Sequence, residues 1–136
     1  MQNKYYFDTA IWIDLLEDRK GFNGESLGKY AWQLLSYIHS INGIIFISDV
    51  VITELKNYSK YSEFIDLINL FKPILIKSSI QQRLEASYIS NNLDLPTADA
   101  LHAIIARDHN LILITRDNHF KKLVHISFFY KPEDLI

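Results

Sequence analysis

The chain has 136 residues, 49% hydrophobic and 22% charged, with a formal net charge of −2 and no cysteine. That length holds one domain with a real core and is too short for two, the composition excludes a disordered chain, and the lack of thiols excludes disulfides and thiolate metal sites. No run approaches the ~18 apolar residues of a membrane span, an acid interrupts the N-terminus before a signal peptide's apolar segment could form, and no global basic signature marks a nucleic-acid binder, so a cytoplasmic protein away from membranes is expected.

Lys4-Tyr5-Tyr6-Phe7 reads as a short aromatic strand ended by Asp8. Ile11, Trp12, Leu15 and Leu16 then fall at helical spacing, with Asp14, Glu17 and Asp18 assigned to the solvated face. Lys20 to Gly28 holds three of the four glycines and reads as a loop. Leu27, Tyr30, Ala31, Leu34, Leu35, Ile38 and Ile41 form the clearest amphipathic helix, stopped by Asn42-Gly43. Ile44 to Ile47 is a buried strand run, and Ser48 or Asp49 can cap a helix that carries Glu54. Tyr58 to Phe71 is helical, with Phe64, Ile65, Leu67 and Ile68 in its stripe. Ile74-Leu75-Ile76 is a third strand, and Ser78 or Ser79 starts a helix running to about Asn92.

Pro96-Thr97 is a helix-start signal, with Thr97 as a cap. Ala98 to Asp108 suits a buried helix with Asp99 in its first turn. Leu111 to Ile114 is a strand covered on both faces, and Asp117 lies just past its end. One helical turn fits before a last strand, His125 to Tyr130, with Phe120 and Leu123 tucked inward. Strands alternating with helices argue an α/β domain with a mainly parallel sheet, spanning residues 1–136.

In a parallel sheet all strand carboxyl ends share one edge, where ligand sites form. Asp8, Glu54, Asp99 and Asp117 each lie near such an end or a helix start. Taken singly, each has an ordinary structural role: dipole complement, turn residue or exposed helix acid. Four carboxylates in one pocket need a counter-charge, and hard divalent cations, Mg²⁺ or Mn²⁺, supply it through oxygen. Such a centre polarises a phosphoryl oxygen and generates hydroxide near neutral pH. No Gly-rich phosphate loop, GxSxG or HExxH is present.

Asp8-Thr9, Ser48 through Glu54-Leu55, Ala98-Asp99-Ala100-Leu101-His102-Ala103 and Thr115-Arg116-Asp117-Asn118-His119-Phe120 together resemble a PIN-domain ribonuclease. The likeness is greatest to the stand-alone toxins of the VapBC toxin–antitoxin class, and it covers Tyr5 to Phe129. The resemblance implies a three-layer α/β/α sandwich, Mg²⁺ or Mn²⁺ dependence, RNA phosphodiester hydrolysis, a small antitoxin partner and a homodimer. It implies that Asp8, Glu54, Asp99 and Asp117 are the catalytic, metal-binding acids, with Thr115 as a hydroxyl near the metal.

Arg116 is expected as the cation for substrate phosphate or an antitoxin carboxylate, with Lys121 and Lys122 as lesser candidates. His102, on nearly the same helix face as Asp99, is read as packed or solvated in preference to a site residue. Asp94 reads as a loop residue, and Trp12 and Trp32 as core or protein-interface anchors. Two other classes stay open: a catalytically silent PIN-like binding module and a receiver-like signalling domain. The latter lacks paired acids after the first strand, and Ile76-Lys77 offers no acceptor Asp. DNA cleavage would use the same chemistry as RNA cleavage.

Overall fold

The structure, a computed structural model, describes residues 3–136. Five parallel strands form one sheet: β1 (Lys4–Phe7), β2 (Ile44–Ser48), β3 (Ile74–Ile76), β4 (Ile112–Ile114) and β5 (Phe129–Tyr130). Their order is β3-β2-β1-β4-β5. Six α-helices connect and cover them: α1 (Thr9–Glu17), α2 (Leu27–Ser40), α3 (Asp49–Leu55), α4 (Tyr61–Phe71), α5 (Ile80–Leu93) and α6 (Thr97–Asp108). Short 3₁₀ turns, Asn118–Leu123 and Pro132–Leu135, complete the described residues.

The layering follows from side-chain alternation along the strands. Tyr5 and Phe7 of β1, Ile45 and Ile47 of β2 and Ile114 of β4 face a core with Trp12, Leu34, Leu35 and Phe64 from α1, α2 and α4. Tyr6 and Leu113 point the other way, into a second core with Ala100, Ile104 and Phe120. The fold is therefore an α/β/α sandwich. Each fully buried Leu or Phe adds ~1.5–3 kcal/mol, so strand runs without polar positions are what two-sided burial requires. Gly28 lets α2 meet α1 closely, since a Cβ there would lie 2.7 Å from the Asp14 carbonyl oxygen. Among the described residues no helix is long and apolar enough to cross a membrane.

Three expectations change. The last strand is only Phe129–Tyr130, because it pairs with a three-residue β4 and His125 to Ser127 continue the preceding turn. Thr97 does not cap α6: its hydroxyl lies 3.0 Å from Ser90 Oγ, joining α6 to α5. The polar segment from Tyr58 to Lys60 stays outside α4.

Candidate active site

The sheet changes direction at β1: β2 and β3 lie to one side, β4 and β5 to the other. At such a switch point the connecting helices diverge and leave a crevice over the carboxyl ends of the central strands. Here Asp8 follows directly on β1 and Thr115 on β4. A cleft of about 210 Å³ opens there, lined by Asp8, Glu54, Asp99 and Asp117 together with Thr9 and His102.

Asp8 caps α1, its Oδ1 accepting from Ile11 N at 3.2 Å. Its Oδ2 accepts from Thr115 Oγ1 at 2.5 Å, across the β1–β4 junction. Asp8 is 4% exposed. Burial pushes its carboxyl up to about 6, against the lowering effects of His102, Thr115 and the Ile11 amide. Thr115 Oγ1 also accepts from Asp117 N at 3.1 Å, so one hydroxyl ties both acids to the strand end.

Asp99 and Asp117 meet over His119. His119 Nδ1 lies 2.9 Å from Asp99 Oδ2 and 3.2 Å from Asp117 Oδ1. Asp117 also caps the 3₁₀ turn by accepting from His119 N at 2.9 Å. Burial raises the Asp99 carboxyl's pKa, with His119 opposing, and the bond to Asp99 raises that of the His119 ring. One ligand atom from each of Asp99, Asp117 and His119 falls within 4.8 Å of the others. This donor set of carboxylate oxygens and an imidazole, with Asp8 and Glu54 on the same cleft, fits a divalent cation. Asp8 is buried and Asp99 half-buried beside it, with only the imidazoles of His102 and His119 as neighbouring bases, which points the same way.

Glu54 is held by two donors on one oxygen: Oε1 accepts from Thr9 Oγ1 at 2.7 Å and from His102 Nε2 at 3.0 Å. Partial burial opposes ionisation, yet these two bonds keep the carboxyl below its usual pKa. His102 is buried, with its Nδ1 2.6 Å from the Tyr6 hydroxyl, which in turn lies 2.6 Å from Ser48 Oγ. The packed reading of His102 holds, but its partner is a cleft acid. The ring packs onto a strand whose residue 6 is a tyrosine, a juxtaposition 96 residues apart in sequence. His119 is a second such residue, whose spacing from Asp117 was a signal that tertiary contact with Asp99 makes meaningful.

The structure redirects Arg116. Its guanidinium pairs with Glu133 at 2.7 Å, reaches Asp14 at 3.6 Å and lies over the Tyr30 ring. The cation expected for substrate phosphate is thus already paired within the chain. Asp14 in turn is buried, where the sequence put it on the solvated face, because Arg19 at 2.7 Å and Arg116 compensate its charge. Glu17 and Asp18 are exposed. Asp94 is an exposed turn residue ending α5, Trp12 lies in the core, and Trp32 is partly exposed against Phe71.

Comparison with known proteins identifies the family and the fold. A family model described as PIN domain matches residues 5–126. Among solved structures, a chain of a toxin–antitoxin complex from Klebsiella pneumoniae superposes with a TM-score of 0.63 at 26% identity, covering 94% of this chain and 97% of that one. A chain of VapBC2 from Rickettsia felis, solved bound to a DNA fragment from its promoter, gives 0.68 at 18% identity, covering 94% and 98%. A chain of VapBC-1 from nontypeable Haemophilus influenzae gives 0.66 at 19%, covering 96% and 98%. A search of curated proteins finds no match.

Proposed function

This chain belongs to the PIN domain family, and from that premise we propose that it is a divalent-cation-dependent endoribonuclease, the toxin of a toxin–antitoxin pair. The observation that carries the proposal is the convergence of Asp8, Glu54, Asp99 and Asp117 on one cleft at the sheet's switch point. The likeness to a toxin–antitoxin chain at 26% identity over nearly the full length supports the toxin reading.

In this reading Asp8, Glu54, Asp99 and Asp117, joined by His119, would hold Mg²⁺ or Mn²⁺. The cation, when bound, supplies Lewis-acid polarisation of the scissile phosphate and a hydroxide-like nucleophile. The chain's own residues do the rest. Thr115 fixes Asp8 and the Asp117 backbone relative to one another. Thr9 and His102 turn Glu54 so that both their bonds fall on Oε1. The cleft's acids repel an RNA backbone that arrives without the cation, so substrate and metal bind together.

The proposal includes a small antitoxin that places a basic side chain, of the Arg type, against the acids, and a cytoplasmic setting where RNA is the substrate. It also includes a homodimer, supported by the exposed apolar residues Ile80, Leu84 and Tyr88, spaced four apart along α5. The test is cleavage of a fluorescent RNA by the purified chain with Mg²⁺, with Mn²⁺ and with EDTA, beside a DNA of the same sequence. Cleavage of RNA only when metal is present is expected. Metal-independent cleavage, or preference for DNA, overturns the proposal.

A further inference from the structure

A second cleft, of about 230 Å³, opens beside the first and shares Glu54 with it. Its floor is Val50 of α3 and Leu101 of α6; its rim is Thr53, Ser78 and Arg83. The cleft thus begins at a candidate metal-binding acid and runs between α3 and the start of α5.

The chain has four arginines, at 19, 83, 107 and 116. Arg19 pairs with Asp14, Arg107 with Glu85 and Asp108, and Arg116 with Glu133 and Asp14. Arg83 alone has no carboxylate within 4.0 Å among the described residues. Its Nη1 donates instead to two neutral acceptors of one residue, the Ser78 carbonyl oxygen at 2.9 Å and Ser78 Oγ at 3.0 Å. Asp49, also on this cleft, has its oxygens occupied by Ser78 N at 2.9 Å and Ser78 Oγ at 3.0 Å. Ser78 therefore stands between the two charges, accepting from Arg83 and donating to Asp49, and it keeps the guanidinium out of direct contact with that carboxylate, so its remaining N–H donors form a fork suited to phosphate.

We infer that this cleft is the substrate's path away from the reacting phosphate: Arg83 binds a neighbouring phosphate of single-stranded RNA, and Val50 and Leu101 take the face of a base. This rests on the nuclease reading of the acid cleft and deepens it. A nuclease that cuts inside a strand must hold nucleotides to either side of the cut, and the acids beside the first cleft repel a backbone. A cationic group continuous with Glu54 supplies the compensating attraction. A single-stranded backbone brings phosphates at short intervals and bases with apolar faces, the combination this floor and rim offer. The positive charge of Arg83 favours a phosphate over the basic side chain proposed for the antitoxin.

The test is anisotropy of a fluorescent single-stranded RNA on the full chain carrying Asp117→Asn to block cleavage, with Mg²⁺, across a salt series. Arg83→Gln on that background is expected to weaken binding about tenfold and to flatten the slope of log affinity against log salt by ~0.7, the contribution of one phosphate contact on a single strand. Arg83→Lys, which keeps the charge, should retain the slope. Equal affinity and slope in all three proteins overturns the inference and leaves the nuclease reading standing. If Arg83→Gln loses a co-expressed antitoxin but keeps RNA, the cleft is a protein site and the inference is likewise overturned. A wild-type chain that neither binds nor cleaves RNA removes both readings, and it does so before any Arg83 variant is made.

Discussion

His102 Nε2 stands 3.0 Å from Glu54 Oε1 while the other ring nitrogen stands 2.6 Å from the Tyr6 hydroxyl. An ionised carboxylate only accepts, so Nε2 carries a proton. In a neutral ring Nδ1 then accepts from Tyr6, and Ser48 donates to Tyr6, so the bonds run one way from Ser48 to Glu54. Tyr6→Phe keeps the ring and breaks this order. It should cost about 1–3 kcal/mol by leaving a buried nitrogen unpartnered. It should also lower kcat on RNA more than it raises KM, because Glu54 loses its fixed orientation. Urea unfolding and steady-state kinetics read the two effects, and a kcat within twofold of wild type would leave the relay a packing feature only.

Asp99→Asn and Asp117→Asn should each reduce cleavage by ~10²-fold or more, the scale of a lost acid–base or charge-stabilising group. Asn keeps the cap that Asp117 makes to the 3₁₀ turn, so the circular dichroism spectrum should not change. Calorimetric titration with Mn²⁺ should show the affinity loss directly. An Asp99→Asn protein with wild-type Mn²⁺ affinity and wild-type rate would remove Asp99 from the centre.

The raised Asp8 carboxyl makes the metal-free fold pH-sensitive in a definite direction. Its folded pKa of about 6 lies above the ordinary value of 3.8. Between these values the folded chain keeps a proton that the unfolded chain has released. Stability from this group therefore falls as pH rises through that window, by about 3 kcal/mol once pH exceeds 6. Asp8→Asn removes the slope. In EDTA its stability advantage over wild type should be greater at pH 7 than at pH 4.5; the same difference at both values would refute the assignment. Mg²⁺ at a hundredfold excess over its Kd should return roughly 2.7 kcal/mol to wild type and less to Asp8→Asn.

Arg116→Gln should act on stability, not on substrate. It strands Glu133 and leaves Asp14, which has no exposed surface, with Arg19 as its remaining ion-pair partner. The loss is about 1.5–3 kcal/mol, the scale of a hydrogen bond to a charged group, and the melting temperature should drop by several degrees. RNA affinity per folded molecule should stay as it was. A protein that melts normally but binds RNA weakly would restore Arg116 to the substrate.

Much of this was legible before any coordinates. Unbroken apolar runs marked β2, β3 and β4; β2 and β4 lie inside the sheet, where both faces are covered, whereas β3 is an edge strand that leaves Ile74 and Leu75 half-exposed. Asp8, Asp99 and Asp117 stood out because a parallel sheet forces strand ends and helix starts onto one edge. What escaped depends on partners distant in the chain. Asp14 reads as solvated on a helical wheel because the wheel cannot show Arg116 arriving from 102 residues away. His102 has an ordinary helical position until Tyr6 is placed beneath it. Arg83 looks like any exposed helix arginine, and its distinction lies in which carboxylates the other three arginines have taken.

The bond between Asp8 and Thr115 closes a gap of 107 residues, and β1 has no neighbour on that side until β4 exists. At a synthesis rate of ~5–20 residues per second, Asp8 waits roughly 5–20 s for the strand that completes its surroundings. Through that interval the nascent chain carries Asp8 and then Glu54 but no assembled cleft. The cleft is therefore incomplete for most of the chain's synthesis and is assembled in one late step, once β4 has joined β1 and brought Thr115 and Asp117 to Asp8.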